Sequence, residues 1–417
     1  MSKSQAPSPN KKKIGWVSPF PPVRSGISVY SEVLLKELKK SVEFDFFPVS
    51  ATRNGNGIYI DLVRNGDFDL LIYSLGNHPL HLPSYEKALK EPGIVFLHDL
   101  NLHDLLYYRS IQHKEPFLYL KYLLNETDDF QKIKQLLNNQ GKDRNLFVDF
   151  PLLREIALSN NHFIVHSEYA KNLITEINPE AKVLKINHIC PWVEKVDRLK
   201  KEKITVGIFG YLSKDRMIEE TLQVFKKFQN GSTRQIILRI VGEDVDIDLK
   251  KIIEKQNLEQ YCEIFKEVDD EKFLKLMKEC DYAINIRYPV RGEMSGNLIK
   301  FLGFGIPTAI IREKSFEDIP KDCVFSIDIN NFEVSLMNFF DKIEKDDLSL
   351  EKISEKAYEF AKNQCSIEKG SLQILDFIKQ YKKGEPKRSL KKLKLKDLVK
   401  FYDPKNLIKG YIKKFHL

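Results

Sequence analysis

Cysteine, methionine and tryptophan are scarce here, at five, five and two among 417 residues. The cysteines, Cys190, Cys262, Cys280, Cys323 and Cys365, are odd in number, widely spaced and never arranged as CxxC. That pattern disfavours a disulfide framework and a structural zinc site, and fits thiols in a reducing compartment. Long apolar runs are also missing. No uncharged apolar stretch reaches the ~18 residues a spanning helix needs. Met1–Lys13 carries lysines but no apolar h-region, so neither a transmembrane segment nor a secretory signal is expected. His78, His81, His103 and His113 show no metal-ligand spacing. No GxGxxG follows the first strand of either half, which disfavours a nicotinamide oxidoreductase.

Charge is present but unevenly placed. The net charge is +8, and Tyr381–Leu417 alone holds thirteen basic and three acidic side chains, or +10. The rest of the chain carries 54 basic and 56 acidic groups, or −2. Duplex binding needs positive charge on the folded binding face, so a nucleic-acid partner is not expected.

Short apolar runs alternate with helical stretches along the body. Ile14–Val17 reads as a strand, stopped by the proline-rich Ser18–Pro22. A helical pattern opens at Ser25-Gly26 and runs to Lys39. Leu70–Tyr73, Ile94–Leu97 and Phe163–Val165 are further strands, and Leu100–Leu158 reads as a mostly helical insertion. A second series has strands at Ile204–Phe209, Ile236–Val241, Cys262–Phe265, Tyr282–Asn285 and Thr308–Ile311. Helices are expected between them near Glu219–Phe228, Asp248–Gln256, Glu271–Glu279 and Gly296–Phe304. Continuous apolar strands separated by helices predict two doubly wound parallel α/β domains.

One loop carries chemistry on its own. Gly292-Glu293-Met294-Ser295-Gly296 follows a strand and opens a helix. Helix-start amides point outward with partial positive charge, and small residues let an anion such as phosphate approach. Alone, the loop reads better as a plain turn with an N-cap serine. Together with Arg287-Tyr288-Pro289 before it and Gly305-Ile306-Pro307 after the helix, it resembles the donor-site segment of glycosyltransferase family 4. Phe209–Arg216 with the helix Glu219–Phe228, and Leu238–Glu243, resemble the same family's strand, basic loop and glycine turn. In the first half, Pro19–Gly26 with Tyr30 is similar to its glycine-bearing loop, Pro92–Asp99 to its strand ending in His-Asp, and Val165–Ala170 to its last strand and serine loop.

The resemblance implies a GT-B fold: two Rossmann-like doubly wound domains facing a cleft, here with a basic C-terminal helical extension. The expected organisation is a disordered tail over 1–12, an acceptor domain over 13–191, a linker over 192–203, a donor domain over 204–363, a crossover helix over 364–380 and a basic amphipathic tail over 381–417. It further implies a retaining, metal-independent glycosyltransferase, with no cofactor beyond its nucleotide-sugar substrate. Such an enzyme would move a hexose-type sugar to a glycan or lipid-linked acceptor in cell-envelope polysaccharide synthesis. The catalytic candidates are Glu293, His98 and Asp99; the donor-binding candidates are Gly26, Arg216, Arg287, Met294, Ser295, Gly296, Asn297 and Lys300. The acceptor would meet the first domain, including the insertion Leu100–Leu153.

The family commonly shows two glutamates eight apart. Counting back from Gly305, the second position is Lys300 and the first is Gly292, with Glu293 one residue further on. Other readings stay open. His98 could be a strand-end histidine bonded to backbone, Asp99 a helix cap near Leu100, and Arg287 a surface ion pair. Asp244-Val245-Asp246 has a metal-binding Asp-x-Asp spacing but reads as a helix-capping loop. A nucleotide-sugar epimerase, a glycan phosphorylase or a non-catalytic sugar-nucleotide or membrane-binding protein are the alternatives. In the tail, apolar residues such as Leu393, Phe401 and Ile412 interleave with lysines. Residues 384–417 therefore read either as a device for an anionic membrane surface or as helices packed on the body. The expected location is cytoplasmic, with peripheral attachment to the inner face of the plasma membrane.

Overall fold

In the computed structural model, residues 11–138, 144–196 and 203–382 are described. The expectations for most of the first twelve residues and for nearly all of the basic tail lie outside them. The chain divides into two compact units. The first holds the described residues up to Lys185, with Arg291–Glu293 and those from Ile374 onward. The second holds Ile186–Val290 and Met294–Gln373, apart from the undescribed stretch.

The first unit is built on seven parallel strands: β1 (Lys12–Ser18), β2 (Phe44–Ser50), β3 (Ile58–Tyr59), β4 (Leu70–Leu75), β5 (Ile94–Leu97), β6 (His162–Val165) and β7 (Lys182–Lys185). Their order is β3-β2-β1-β4-β5-β6-β7. The order reverses at β1, which pairs with β2 on one side and β4 on the other. Helices α1 (Gly26–Leu38), α2 (Leu82–Lys90), α3 (His103–Gln112), α4 (Pro116–Glu126), α5 (Phe130–Asn138), α6 (Arg154–Ser159) and α7 (Glu168–Ile177) complete it. The inner strands β4, β5 and β6 are buried along their whole length, as cover on both faces demands. Leu105, Leu120, Leu123, Ile133, Phe150 and Leu153 of the insertion join the same core as Val17, Tyr73 and Phe163.

The second unit has six parallel strands: β8 (Lys203–Phe209), β9 (Gln235–Val241), β10 (Cys262–Phe265), β11 (Tyr282–Ile284), β12 (Thr308–Ile311) and β13 (Phe325–Ile327). Their order, β10-β9-β8-β11-β12-β13, reverses between β8 and β11. Helices α8 (Ile218–Gln229), α9 (Leu249–Gln256), α10 (Asp270–Lys278), α11 (Gly296–Gly303), α12 (Phe332–Glu344) and α13 (Leu348–Gln364) complete it, and α14 (Ile367–Lys379) starts in this unit and ends in the first. The expected two doubly wound parallel domains are therefore present, and they make up the GT-B fold.

Four strands, β2, β3, β7 and β13, escape the sequence pattern, and two of them do so for plain physical reasons. β2 contains Pro48, opposite Trp16 of β1, and β3 covers only Val49 and Ser50. At Pro48 one side of β2 is thus an edge, where a missing N–H is tolerated. β7, Lys-Val-Leu-Lys, is a half-exposed edge strand whose lysines mask its apolar content.

Candidate functional site

In the second unit the candidates gather where β8, β9 and β11 end. Gly210 follows β8 at φ +112°, and Gly242 follows β9 at φ +146°. A Cβ on Gly242 would lie 1.9 Å from the Gly210 carbonyl oxygen. A Cβ on Gly210 would lie 2.6 Å from Arg216 Nη2 and 2.8 Å from Asn297 Nδ2. Only glycine lets these side chains close over the strand end.

Arg216 is 7% exposed. Its Nη1 donates to Asn285 Oδ1 at 2.7 Å, and its Nη2 to the Phe209 carbonyl at 3.0 Å. Asn285 Nδ2 in turn donates to Ser295 Oγ at 2.9 Å. Ser295 Oγ accepts from Leu298 N and so caps α11. Asn297 Nδ2 donates to the same Phe209 carbonyl at 3.2 Å. The result is a buried network joining the 3₁₀ turn Lys214–Arg216, the end of β11 and the first turn of α11. Sequence reasoning found Arg216, Ser295 and Asn297 but missed Asn285. Its signal was only a polar residue ending an apolar run.

Met294 and Gly296 flank the cap, and a Cβ on Gly296 would sit 3.6 Å from the His188 ring, in ordinary contact. Burial and the neighbouring Lys300 push the His188 pKa down to about 4, so this ring is neutral at pH 7. Lys300, one turn into α11, places its ammonium 5.2 Å from the Trp192 ring centre and 5.4 Å from that of Phe273. Its Nζ lies 3.5 Å from Asn297 Oδ1, and burial lowers its pKa. Arg287 is half-buried in the loop after β11, where Tyr288 N donates to the Asp215 carbonyl at 2.7 Å. Glu293, which belongs to the first unit, accepts at Oε2 from Arg291 N at 3.2 Å, beside Gly292 at φ +95°.

Asp244 and Asp246 serve as backbone acceptors, as the capping-loop reading expects. Asp246 Oδ1 accepts from Lys214 N, and Asp244 Oδ2 from Leu249 N and Lys266 Nζ. Among the described residues, no group of three His, Cys, Asp or Glu side chains is placed to hold a metal ion.

In the first unit His98 and Asp99 follow β5. The His98 ring is buried, stacked on Phe96 with centres 4.4 Å apart, and 5.0 Å from the Tyr30 ring. Its Nδ1 lies 3.2 Å from Nε2 of His166, at the end of β6. His166 was missed because the serine next to it carried the motif. Asp99 does not cap a helix. The helix starts only at His103, whose N–H is taken by Asn101 Oδ1, and Asp99 Oδ2 instead accepts from Asn77 N at 2.7 Å. Gly26 is the first residue of α1, and a Cβ there would meet nothing within 4 Å.

No protein-family model and no curated protein matches this sequence. Solved structures do match in fold. Sucrose-phosphate synthase from Thermosynechococcus elongatus superposes with a TM-score of 0.60 at 12% identity, over 89% of this chain and 99% of that one. HepE of Anabaena, in complex with UDP-glucose, gives 0.58 at 13% identity, over 89% and 100%. WaaG, a glycosyltransferase involved in lipopolysaccharide biosynthesis, gives 0.51 at 14% identity, over 86% and 98%. Similarity at this identity is one of fold.

Proposed function

We propose that this chain is a retaining glycosyltransferase that moves a hexose-type sugar from a nucleotide-sugar to a glycan or lipid-linked acceptor in cell-envelope polysaccharide synthesis. The observation that carries the reading is the buried Arg216–Asn285–Ser295 network, which fixes the first turn of α11 at the sheet reversal of the second unit. Open α/β sheets bind ligands at such reversals, outside the carboxyl ends of the strands. Support also comes from the shared fold with HepE, solved with UDP-glucose, and with WaaG of lipopolysaccharide biosynthesis.

In this reading the amides of Met294, Ser295, Gly296 and Asn297 and the positive end of α11 receive the donor diphosphate. Arg216 holds that turn in place and adds positive charge, and Arg287 and Lys300 add more. Negative charge grows on the diphosphate as the glycosidic bond to it breaks, and preorganised donors stabilise it there. Glu293 takes sugar hydroxyls, and His98 and Asp99 serve the transferred sugar. Gly26 leaves room for phosphate above α1. Transfer proceeds with retention and without a metal ion, as the family resemblance implies. Residues 384–417 hold the enzyme on the anionic inner face of the plasma membrane.

Calorimetry against a panel of UDP-, GDP- and ADP-sugars tests the reading. Saturable binding to one nucleotide class is expected. No binding to any of them sinks it.

A further inference from the structure

We infer that Tyr381 and the end of α14 form a strap over His162, and that a proton taken up by His162 releases the strap together with the root of the basic segment. The strap and its release rest on the first unit alone. What release does at a bilayer rests on the membrane reading of residues 384–417.

His162 opens β6, paired with Ile94 of β5 on one side and Lys182 of β7 on the other. It is only 6% exposed. Its Nε2 is fully buried and, among the described residues, meets no hydrogen-bond partner. The cover comes from more than 200 positions further along the chain. The Phe377 ring centre lies 5.9 Å from that of the imidazole, and the Tyr381 ring stands edge-on at 4.8 Å. The Tyr381 hydroxyl donates to the Pro92 carbonyl at 3.4 Å, and Lys379 Nζ meets Glu43 Oε1 at 2.7 Å. The hydrogen bond is long and the ion pair faces water, so neither holds the strap strongly. The aromatic contact with His162 carries most of the hold.

Only the neutral ring suits this cover. An imidazolium donates from both nitrogens, and the buried Nε2 has no acceptor to give its proton to. The groups around it offer no compensating charge. Lys182 on β7 has the same sign as an imidazolium. On α14, Asp376 is paired with Lys379 at 3.7 Å. Glu91, at the end of α2, is paired with Lys87 at 3.0 Å. Burial pushes the Tyr381 and Tyr73 hydroxyls up, so both stay neutral. Burial first, and Lys182 second, hold the His162 pKa down at about 4. Uncovered, the ring returns toward 6.5. The closed strap thus binds the proton less well than the open one, and its hold is lost as pH falls from 6.5 toward 4. The ratio of open to closed should rise about tenfold between pH 7.5 and 5.5.

Tyr381 begins the stretch that carries +10. Pro92 precedes β5 by two residues, so the closed strap sends that stretch out at the start of β5, the opposite end from His98 and Asp99. Each residue released adds up to about 3.3–3.6 Å of reach. A surface potential of about −30 mV also concentrates protons roughly threefold, so an anionic bilayer favours release.

The test uses the full chain. NMR titration of isotope-labelled histidine should place the His162 pKa near 4 in wild type and in Tyr381→Phe, which keeps the ring, and well toward 6.5 in Tyr381→Ala. Hydrogen-exchange protection of residues 374–382, corrected for the intrinsic pH dependence of exchange, should fall about tenfold from pH 7.5 to 5.5 in wild type. In His162→Gln, which cannot titrate, it should not change. A His162 pKa that ignores Tyr381→Ala, protection in wild type that ignores pH, or an equal fall in His162→Gln overturns the strap. Co-sedimentation with phosphatidylserine vesicles should need less lipid at pH 5.5 than at pH 7.5 in wild type and show no such gain in His162→Gln. A strap that opens as expected, with the same pH response of vesicle binding in both proteins, keeps the proton-linked strap and removes its role at the membrane.

Discussion

His166 Nε2 and His98 Nδ1 lie 3.2 Å apart, both rings buried among Phe96 and Tyr30. Two imidazoles in this contact share one proton, so the state of one ring sets the orientation and tautomer of the other. His166 is thus a positioning residue for the His98 candidate. His166→Phe should lower donor turnover by about 10- to 100-fold, the cost of a slightly misplaced group. UDP affinity should hold. His166→Gln, which keeps a nitrogen donor, should recover part of the loss. Equal damage in both variants would mark His166 as packing only.

Arg216 and Asn285 make the corresponding contact in the second unit, and its removal should be felt in stability. Arg216→Ala leaves Asn285 Oδ1 and the Phe209 carbonyl without their buried charged donor. The cost is about 2–4 kcal/mol. For a unit of this size that lowers Tm by about 5–15 °C. Arg216→Lys keeps the charge but not the planar fork, and should fall between the two. Thermal unfolding with and without UDP checks both effects. An unchanged Tm would show that the network does not hold the α11 turn.

The strands were legible because they are buried on both faces and so read as unbroken apolar runs. Ile94–Leu97 and Thr308–Ile311, buried throughout, begin and end in the structure where the sequence places them. β2 was hidden by Asp45 and Pro48, which only an edge strand's geometry accommodates. The α11 start was legible through Ser295, because an N-cap serine after a glycine-bearing loop is a local signal. Asn285, His166 and Asn77 were not, since their importance comes from partners tens of residues away. The alternative of Asp99 as a helix cap near Leu100 fails for a local reason. Asn101, two residues on, competes for the capping bond.

Two glycines predict opposite outcomes. Gly242→Ala brings a methyl group to within 1.9 Å of the Gly210 carbonyl oxygen at φ +146°, so backbone must move. A loss of about 3 kcal/mol or more is expected, read as a large drop in denaturant midpoint. Gly26→Ala meets open space at a helix start and should stabilise by about 0.4–1 kcal/mol. If phosphate approaches α1 there, the same alanine should weaken UDP-sugar binding. Undiminished affinity would remove Gly26 from the donor site.

Glu126, at the end of α4, gives a pH signature. Burial pushes its carboxyl from 4.5 up to about 7, and Oε1 accepts from Arg154 N at 3.1 Å. The folded state holds the proton more tightly than the unfolded chain. Its contribution is therefore lost as pH rises from 4.5 to 7 and is flat above that. Glu126→Gln keeps the acceptor oxygen and removes the charge. Near pH 4.5 the variant should match wild type, and at pH 8 it should be more stable by up to about 3 kcal/mol. His81 and His103, lowered to about 4 by burial, act in the other direction. Their contribution is lost as pH falls from 6.5 toward 4, equally in both proteins. Denaturant unfolding at pH 5 and pH 8 separates the terms, and a pH-independent difference would refute the Glu126 assignment.

The positive charge of the chain is concentrated in its C-terminal segment. Tyr381–Leu417 carries +10 on a body of −2. Against an anionic bilayer each lysine near the surface contributes about 1 kcal/mol. Deleting residues 384–417 should abolish co-sedimentation with phosphatidylserine vesicles and leave UDP-sugar affinity in solution unchanged. The full chain should pellet at low salt and be released as ionic strength rises, because the Debye length shrinks from about 30 Å at 0.01 M to about 8 Å at 0.15 M. It should not pellet with neutral phosphatidylcholine vesicles. Equal pelleting of the truncated and full chains would assign the tail to the body instead of the membrane. Transfer to a lipid-linked acceptor would then need another route to the bilayer.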